Sequence, residues 1–296
     1  METTAPKLTK EEVARETAKR YLADKTYNFL LGKTQAAKIR QVAAGVEIEE
    51  ATSRLLRDVM AHSERFEIVD RRWAPAVRFG DTKRPFERIL NEIMVAAGLP
   101  LDIESVAGEL SATLGRPVEY YEDALTKIFR DKDKFFKLSG KFGLNSWLLL
   151  PTSDEEADVV FDNFLSEDQV EEFTKICPVA KWTVDNLAET AAALVKDCKE
   201  PIPVKILALM AWRELGEDYD AMDFYAAVVE NDDILVLSDQ RAYSAGDVKT
   251  FKKTLSKIAE ELAELPMEAE EEEAEGPVEI TDTDKEEIIS MIMSKG

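Results

Sequence analysis

Cys177 and Cys198 stand 21 residues apart, no Cys-x-x-Cys pair occurs, and His62 is the only histidine. Zinc centres are built from several thiolates and imidazoles at short spacings, so this set predicts neither a zinc site nor a disulfide framework. The two thiols are expected to be buried and reduced. Other catalytic starting points are missing too: there is no GxSxG, HExxH, GxxxxGK[ST] or GxGxxG. Serine-hydrolase, zincin, phosphate-cradling and dinucleotide chemistry therefore lack their first residues. Adjacent carboxylates such as Glu11-Glu12 and Asp232-Asp233 follow by chance from 60 acidic residues and receive no acid–base role. His62 falls at the expected end of a helix, where a cation suits the helix dipole. The expectation is a chain that is not an enzyme, with no metal, no cofactor and no small-molecule substrate.

Binding chemistry remains, and the charge is distributed unevenly. The net charge of −22 divides into +3 over residues 1–80, −1 over 81–150 and −24 over the rest. Nucleic-acid affinity comes largely from Lys and Arg displacing condensed counterions, so any DNA contact is expected within residues 1–150. The candidates there are Arg54, Arg57, Arg65, Arg71, Arg72 and Arg78, then Lys127, Arg130, Lys132, Lys134, Lys137 and Lys141. Glu119, Glu122 and Asp123 stand just before the second group and oppose a phosphate contact.

The elements that must carry these residues are legible from periodicity. Apolar residues from Leu8 to Leu31 keep helical spacing behind a Thr9/Glu12 capping-box pattern. Further helices are predicted over 34–44 and 48–62, followed by a hairpin from Phe66 to Trp73. The pattern recurs: helices over 85–97, 103–114 and 119–130 precede a hairpin from Phe135 through Trp147-Leu148-Leu149-Leu150. It recurs again more faintly, with helices over 204–214 and 221–229 and a hairpin over 234–243. Trp73, Trp147 and Tyr243 close the three hairpins and are expected to turn back into the core.

Residues 166–199 read as helical with a break near Pro178, and 248–265 as an amphipathic helix that docks. The run from Met267 to Glu275 is almost pure glutamate and is expected to be disordered. Beyond it Ile288, Ile289, Met291 and Ile292 form an apolar motif suited to a protein partner. The predicted fold is thus mainly α with short β-hairpins, an α+β chain of tandem winged-helix-like domains with an acidic tail. The expected divisions are 1–80, 81–152, 153–265 and 266–296. No run of about eighteen apolar residues occurs, which predicts a cytoplasmic protein without a membrane span.

The second repeat carries a resemblance. Phe86-Glu87-Arg88-Ile89-Leu90, Leu101-Asp102-Ile103-Glu104-Ser105-Val106-Ala107, and Phe135-Phe136-Lys137-Leu138 with Phe142-Gly143-Leu144 and Trp147 resemble the HARE-type winged helix. That family includes the delta subunit of bacterial RNA polymerase, which also sets an acidic tail after its winged helix. Arg65-Phe66-Glu67-Ile68 and Leu237-Ser238-Asp239-Gln240 echo the same hairpin. The chain departs from the delta pattern in having several modules and a shorter tail. The resemblance implies a non-catalytic transcription accessory factor binding RNA polymerase, promoter DNA or both. The alternatives are a protein–protein adaptor, such as a partner of a chromosome-organising SMC-type ATPase, and a regulatory domain separated from a nuclease or modification enzyme.

Overall fold

The structure, a computed structural model, describes residues 9–81, 83–198 and 200–265. One compact unit is Met1–Leu262; of the other, Ala263–Gly296, only the end of a helix is described. The glutamate run and the motif of Ile288, Ile289, Met291 and Ile292 lie outside the described residues. What is described is mostly helical, with short antiparallel hairpins.

Helix α1 (Lys10–Leu30) opens on the expected capping box: the Thr9 N–H donates to Glu12 at 2.7 Å and the Glu12 N–H to Thr9 Oγ1 at 3.2 Å. Helices α2 (Ile39–Gly45) and α3 (Ser53–Ala61) follow, then β1 (Phe66–Val69) and β2 (Arg72–Pro75). The hairpin turn puts Asp70 and Arg71 at φ of 51° and 61°, the mirror-image turn that matches strand twist. Both later helices start after the positions periodicity suggests. Residues before Ile39 are committed to another bond, because Ala37 and Trp73 exchange backbone hydrogen bonds of 2.9 and 2.8 Å. Helix α3 waits for Thr52, whose hydroxyl accepts the Leu55 N–H.

The same order returns in α4 (Phe86–Ala97), α5 (Ile103–Leu114), α6 (Val118–Ile128), β3 (Phe135–Leu138) and β4 (Lys141–Leu144). Here Leu101 pairs with Phe142 as Ala37 pairs with Trp73. The run Leu148-Leu149-Leu150 is not a strand: a 3-10 turn over Asn145–Trp147 ends the hairpin first. Leu148 and Leu149 are buried nevertheless, while Leu150 is exposed.

After α7 (Glu156–Asp162) and α8 (Glu167–Ile176) comes a third segment. It comprises α9 (Leu187–Asp197), β5 (Ile202–Pro203), α10 (Val204–Leu215), α11 (Ala221–Val229), β6 (Ile234–Val236) and β7 (Arg241–Ser244). Helix α9 supplies the first helix that the pattern between Pro203 and Ser244 lacks. The antiparallel order β5-β7-β6 makes a full strand of what Ala37 and Leu101 do as single bridges. Trp73, Trp147 and Tyr243 are all buried. Finally α12 (Val248–Glu264) buries Phe251, Leu255 and Ile258, with Phe251 5.7 Å from the Tyr21 ring and Arg15 forked onto Glu261 at 2.9 and 2.6 Å.

The three helix-and-hairpin segments share one core and touch pairwise. Between the first and second, Arg78 donates twice to Glu109 at 2.7 Å, and Glu109 also accepts the Gly32 N–H at 3.1 Å. Between the first and third, Asp24 accepts from Arg65 at 2.5 Å and from the Ser238 hydroxyl and N–H at 2.6 and 2.8 Å. Between the second and third, the Phe136 and Tyr225 rings meet edge to face at 5.1 Å, and the Gln240 amide donates to the Gly98 carbonyl.

Tyrosines sit at several of these seams. Burial pushes the hydroxyls of Tyr27, Tyr219 and Tyr225 up, and that of Tyr243 up to about 12. An unfolded tyrosine ionises near pH ~10, so above that pH the unfolded chain releases protons the folded chain retains. The contribution of these tyrosines to stability is therefore complete below about pH 10 and is lost as pH rises beyond it. In an alkaline titration the tyrosinate absorbance of these residues should rise together with loss of far-ultraviolet circular dichroism. Ionisation of all tyrosines near pH ~10 with the fold intact would contradict these burials.

Candidate partner-binding face

The second segment presents an open groove. Helix α6 ends at Ile128, and Phe129 begins the turn that carries the chain into β3. Phe129 stacks on Phe142 of β4, with centroids 4.3 Å apart and planes 9° from parallel, and meets Phe135 edge-on at 5.0 Å. Strand pairing sets Phe136 opposite Gly143, whose missing side chain makes room: a Cβ there would fall 2.2 Å from the Phe136 ring. These rings, with Leu148 and the exposed Leu150, floor a groove of about 870 Å³. Met222 of α11 borders it from the third segment.

Cations surround this floor. Arg130, Lys132 and Lys137 line the groove and are exposed. The Lys137 ammonium lies 5.7 Å from the Phe142 centroid. Lys127, at the end of α6, and Lys141, on β4, are exposed nearby. Lys134 is committed: it pairs with Glu87 at 3.0 Å and Asp131 at 3.7 Å, and the hydrogen bond it donates to Glu87 raises its ammonium pKa. The structure thus gathers Arg130, Lys132 and Lys137 around one apolar trough and leaves Lys134 beside it.

The first segment's cations do not gather in this way. Arg78 is corrected outright, since its side chain is 6% exposed and locked on the fully buried Glu109, where no phosphate reaches it. Arg65 is corrected likewise: it is held by Asp24, donates to Ser238 at 2.7 Å and lies 5.0 Å over the Tyr27 ring. Arg54 and Arg57 are half-buried on α3 and already engaged, as is Arg71 at the hairpin tip. Arg72 is exposed on β2.

Two features decide what this face can hold. The outward side of α6 begins with exposed Glu119 and Asp123, so a phosphate backbone laid along it meets like charge. Helix α11, its counterpart in the third segment, turns Tyr225 onto β3 instead of into solvent. An apolar floor with a cationic edge fits a carboxylate-bearing chain with apolar anchors better than it fits a duplex groove.

A second cleft, about 570 Å³, runs between segments. Four of its charged side chains are paired within it, Arg84 with Glu92 and Arg20 with Asp239. His62 caps α3 as expected, its Nδ1 2.7 Å from the Asp58 carbonyl oxygen. Among the described residues no group of three or more His, Cys, Asp or Glu side chains is placed to hold a metal ion, and no helix is long and apolar enough to cross a membrane. Phe161 and Phe164 stand 80% and 93% exposed, and periodicity does not single them out. The available signal is that Val159 and Val160 take the inward side of α7, which leaves Phe161 facing out.

No family model, no curated protein and no solved structure matches the chain.

Proposed function

We propose that the chain is a non-catalytic transcription accessory factor of three fused winged-helix modules, and that it seats an acidic, apolar-anchored segment of a protein partner in the β3–β4 groove. RNA polymerase is the partner that the HARE-type resemblance implies. Three helices, a pairing residue or strand between the first and second, and a closing hairpin support the winged-helix reading of each module. The observation that carries the binding mode is the groove itself: aromatic and aliphatic floor, Arg130, Lys132 and Lys137 around it, and acid on the neighbouring third helix. Duplex DNA needs cations along the helix that enters its groove, and α6 offers Glu119 and Asp123 there.

The test compares the full chain with a variant carrying Arg130→Glu, Lys132→Glu and Lys137→Glu, against two probes. These are RNA polymerase purified from the same cells and a mixed-sequence DNA duplex. Polymerase should bind the native chain and bind the variant about tenfold or more weakly, because the field that draws the carboxylates in is reversed. Duplex affinity should be low and change little between the two proteins. Tight duplex binding that collapses with rising salt and with the triple reversal would transfer the face to DNA. Equal polymerase binding by both proteins would remove the groove from the reading. Far-ultraviolet circular dichroism checks the fold, which exposed substitutions leave intact.

A further inference from the structure

Cys177 and Cys198 are far apart in sequence, yet the fold gives them the same local role. Each is the C-cap of a helix, Cys177 of α8 and Cys198 of α9. Each is extended there, and each backbone N–H is anchored four residues back, to Phe173 at 3.0 Å and to Leu194 at 2.8 Å. Two anchored caps therefore aim their side chains at one point. The Sγ atoms lie 2.8 Å apart, and both residues are buried as free thiols. A disulfide spans about 2.05 Å, so under an ångström of movement separates contact from a covalent bond.

We infer that Cys177 and Cys198 form a redox-modifiable dithiol, a site that takes a low-molecular-weight disulfide such as oxidised glutathione and closes an internal disulfide between α8 and α9. The two sulfurs differ in access. Cys177 lines a cleft of about 210 Å³ with Thr174, Pro178, Trp182 and Arg213, and Cys198 is not among its lining residues. Cys177 is therefore the attacking sulfur. After losing its proton to water, its thiolate attacks one sulfur of the glutathione disulfide, which forms a mixed disulfide and releases one glutathione thiolate. Cys198, deprotonated in turn, attacks the Cys177 sulfur and expels the second. Two cysteine thiols and one glutathione disulfide thus become one protein disulfide and two glutathione thiols, with both protons accepted by the departing thiolates and two electrons passing to glutathione.

Burial, and then the hydrogen bond to Cys198, push the Cys177 thiol up to about 12. The folded site is accordingly slow at neutral pH and speeds up when the end of α8 opens. Once formed, the bond ties the connecting helix α8 to the first helix of the third segment and closes the loop carrying exposed Val179 and Val184. Closing a loop of this length raises the folded-to-unfolded ratio about a hundredfold by restricting the unfolded chain.

The experiment equilibrates the full chain with mixtures of reduced and oxidised glutathione, both folded and during refolding from denaturant. It then quenches with acid and counts free thiols by alkylation and intact mass. Both thiols should vanish together, with the mass falling by the two hydrogens lost and no dimer formed. The oxidised protein should melt several degrees above the reduced one. In a Cys198→Ser variant, Cys177 should stop at the glutathione adduct. Two thiols still free after refolding in oxidised glutathione would overturn the inference. So would a disulfide found only between two chains, or an oxidised protein that melts at or below the reduced one.

Discussion

Replacing Arg78 with methionine should lower stability by about 3–5 kcal/mol, the usual cost of leaving one half of a buried ion pair behind. The carboxylate that remains, Glu109, is fully buried on α5 and would keep only the Gly32 N–H at 3.1 Å in place of the two Arg78 bonds at 2.7 Å. Arg78→Lys should recover only part of the loss, because an ammonium cannot supply two parallel donors to one carboxylate. Removing both charges, with Arg78→Met and Glu109→Met together, should cost less than Arg78→Met alone, since two apolar side chains need no partner in that site. Chemical denaturation of the four proteins checks the series. A single-variant loss below about 1 kcal/mol would place the pair among surface bridges and would sink the claim that it joins the first segment to the second.

Arg78 also shows where the sequence stops being informative. Arg72 and Arg78 lie six residues apart in the same basic stretch, and composition treats them alike. One is exposed on β2, and the other is spent inside the protein on a carboxylate from the next module. The local elements were readable, because hydrophobic alternation, the Thr9/Glu12 box and glycine at the ends of α4 and α5 act within a few residues. What failed was set by distant partners: the late start of α2 follows from Ala37 pairing with Trp73, 36 positions on. The candidate face was half legible for the same reason. Its cations stood out as a cluster, but the trough they surround exists only once Phe129, Phe136, Leu148 and Met222 are folded together. The cysteine pair was illegible, because a separation of 21 residues carries no period until two helices end side by side.

Gly98 is the position where local and distant demands coincide, so Gly98→Ala should cost about 2–4 kcal/mol, the left-handed backbone penalty added to an overpacked contact. The residue ends α4 at φ of 69°, and a Cβ there would lie 2.3 Å from Ser238 Cα. Ser238 has little freedom to retreat. Its N–H and hydroxyl are both held by Asp24 at 2.8 and 2.6 Å, and Asp24 is held by Arg65. Pushing Ser238 away therefore loosens the first segment from the third as well as the second from the third. Gly115 is the control, since it ends α5 at φ of 79° and a Cβ there would meet nothing within 4 Å. Gly115→Ala bears the backbone penalty alone and should cost about 1 kcal/mol. Denaturation midpoints give the difference, and limited proteolysis should show cuts between the segments in Gly98→Ala only. Equal losses for the two variants, with equal resistance to protease, would mean that Ser238 yields freely and that the Asp24–Arg65–Ser238 cluster does not fix how the modules meet.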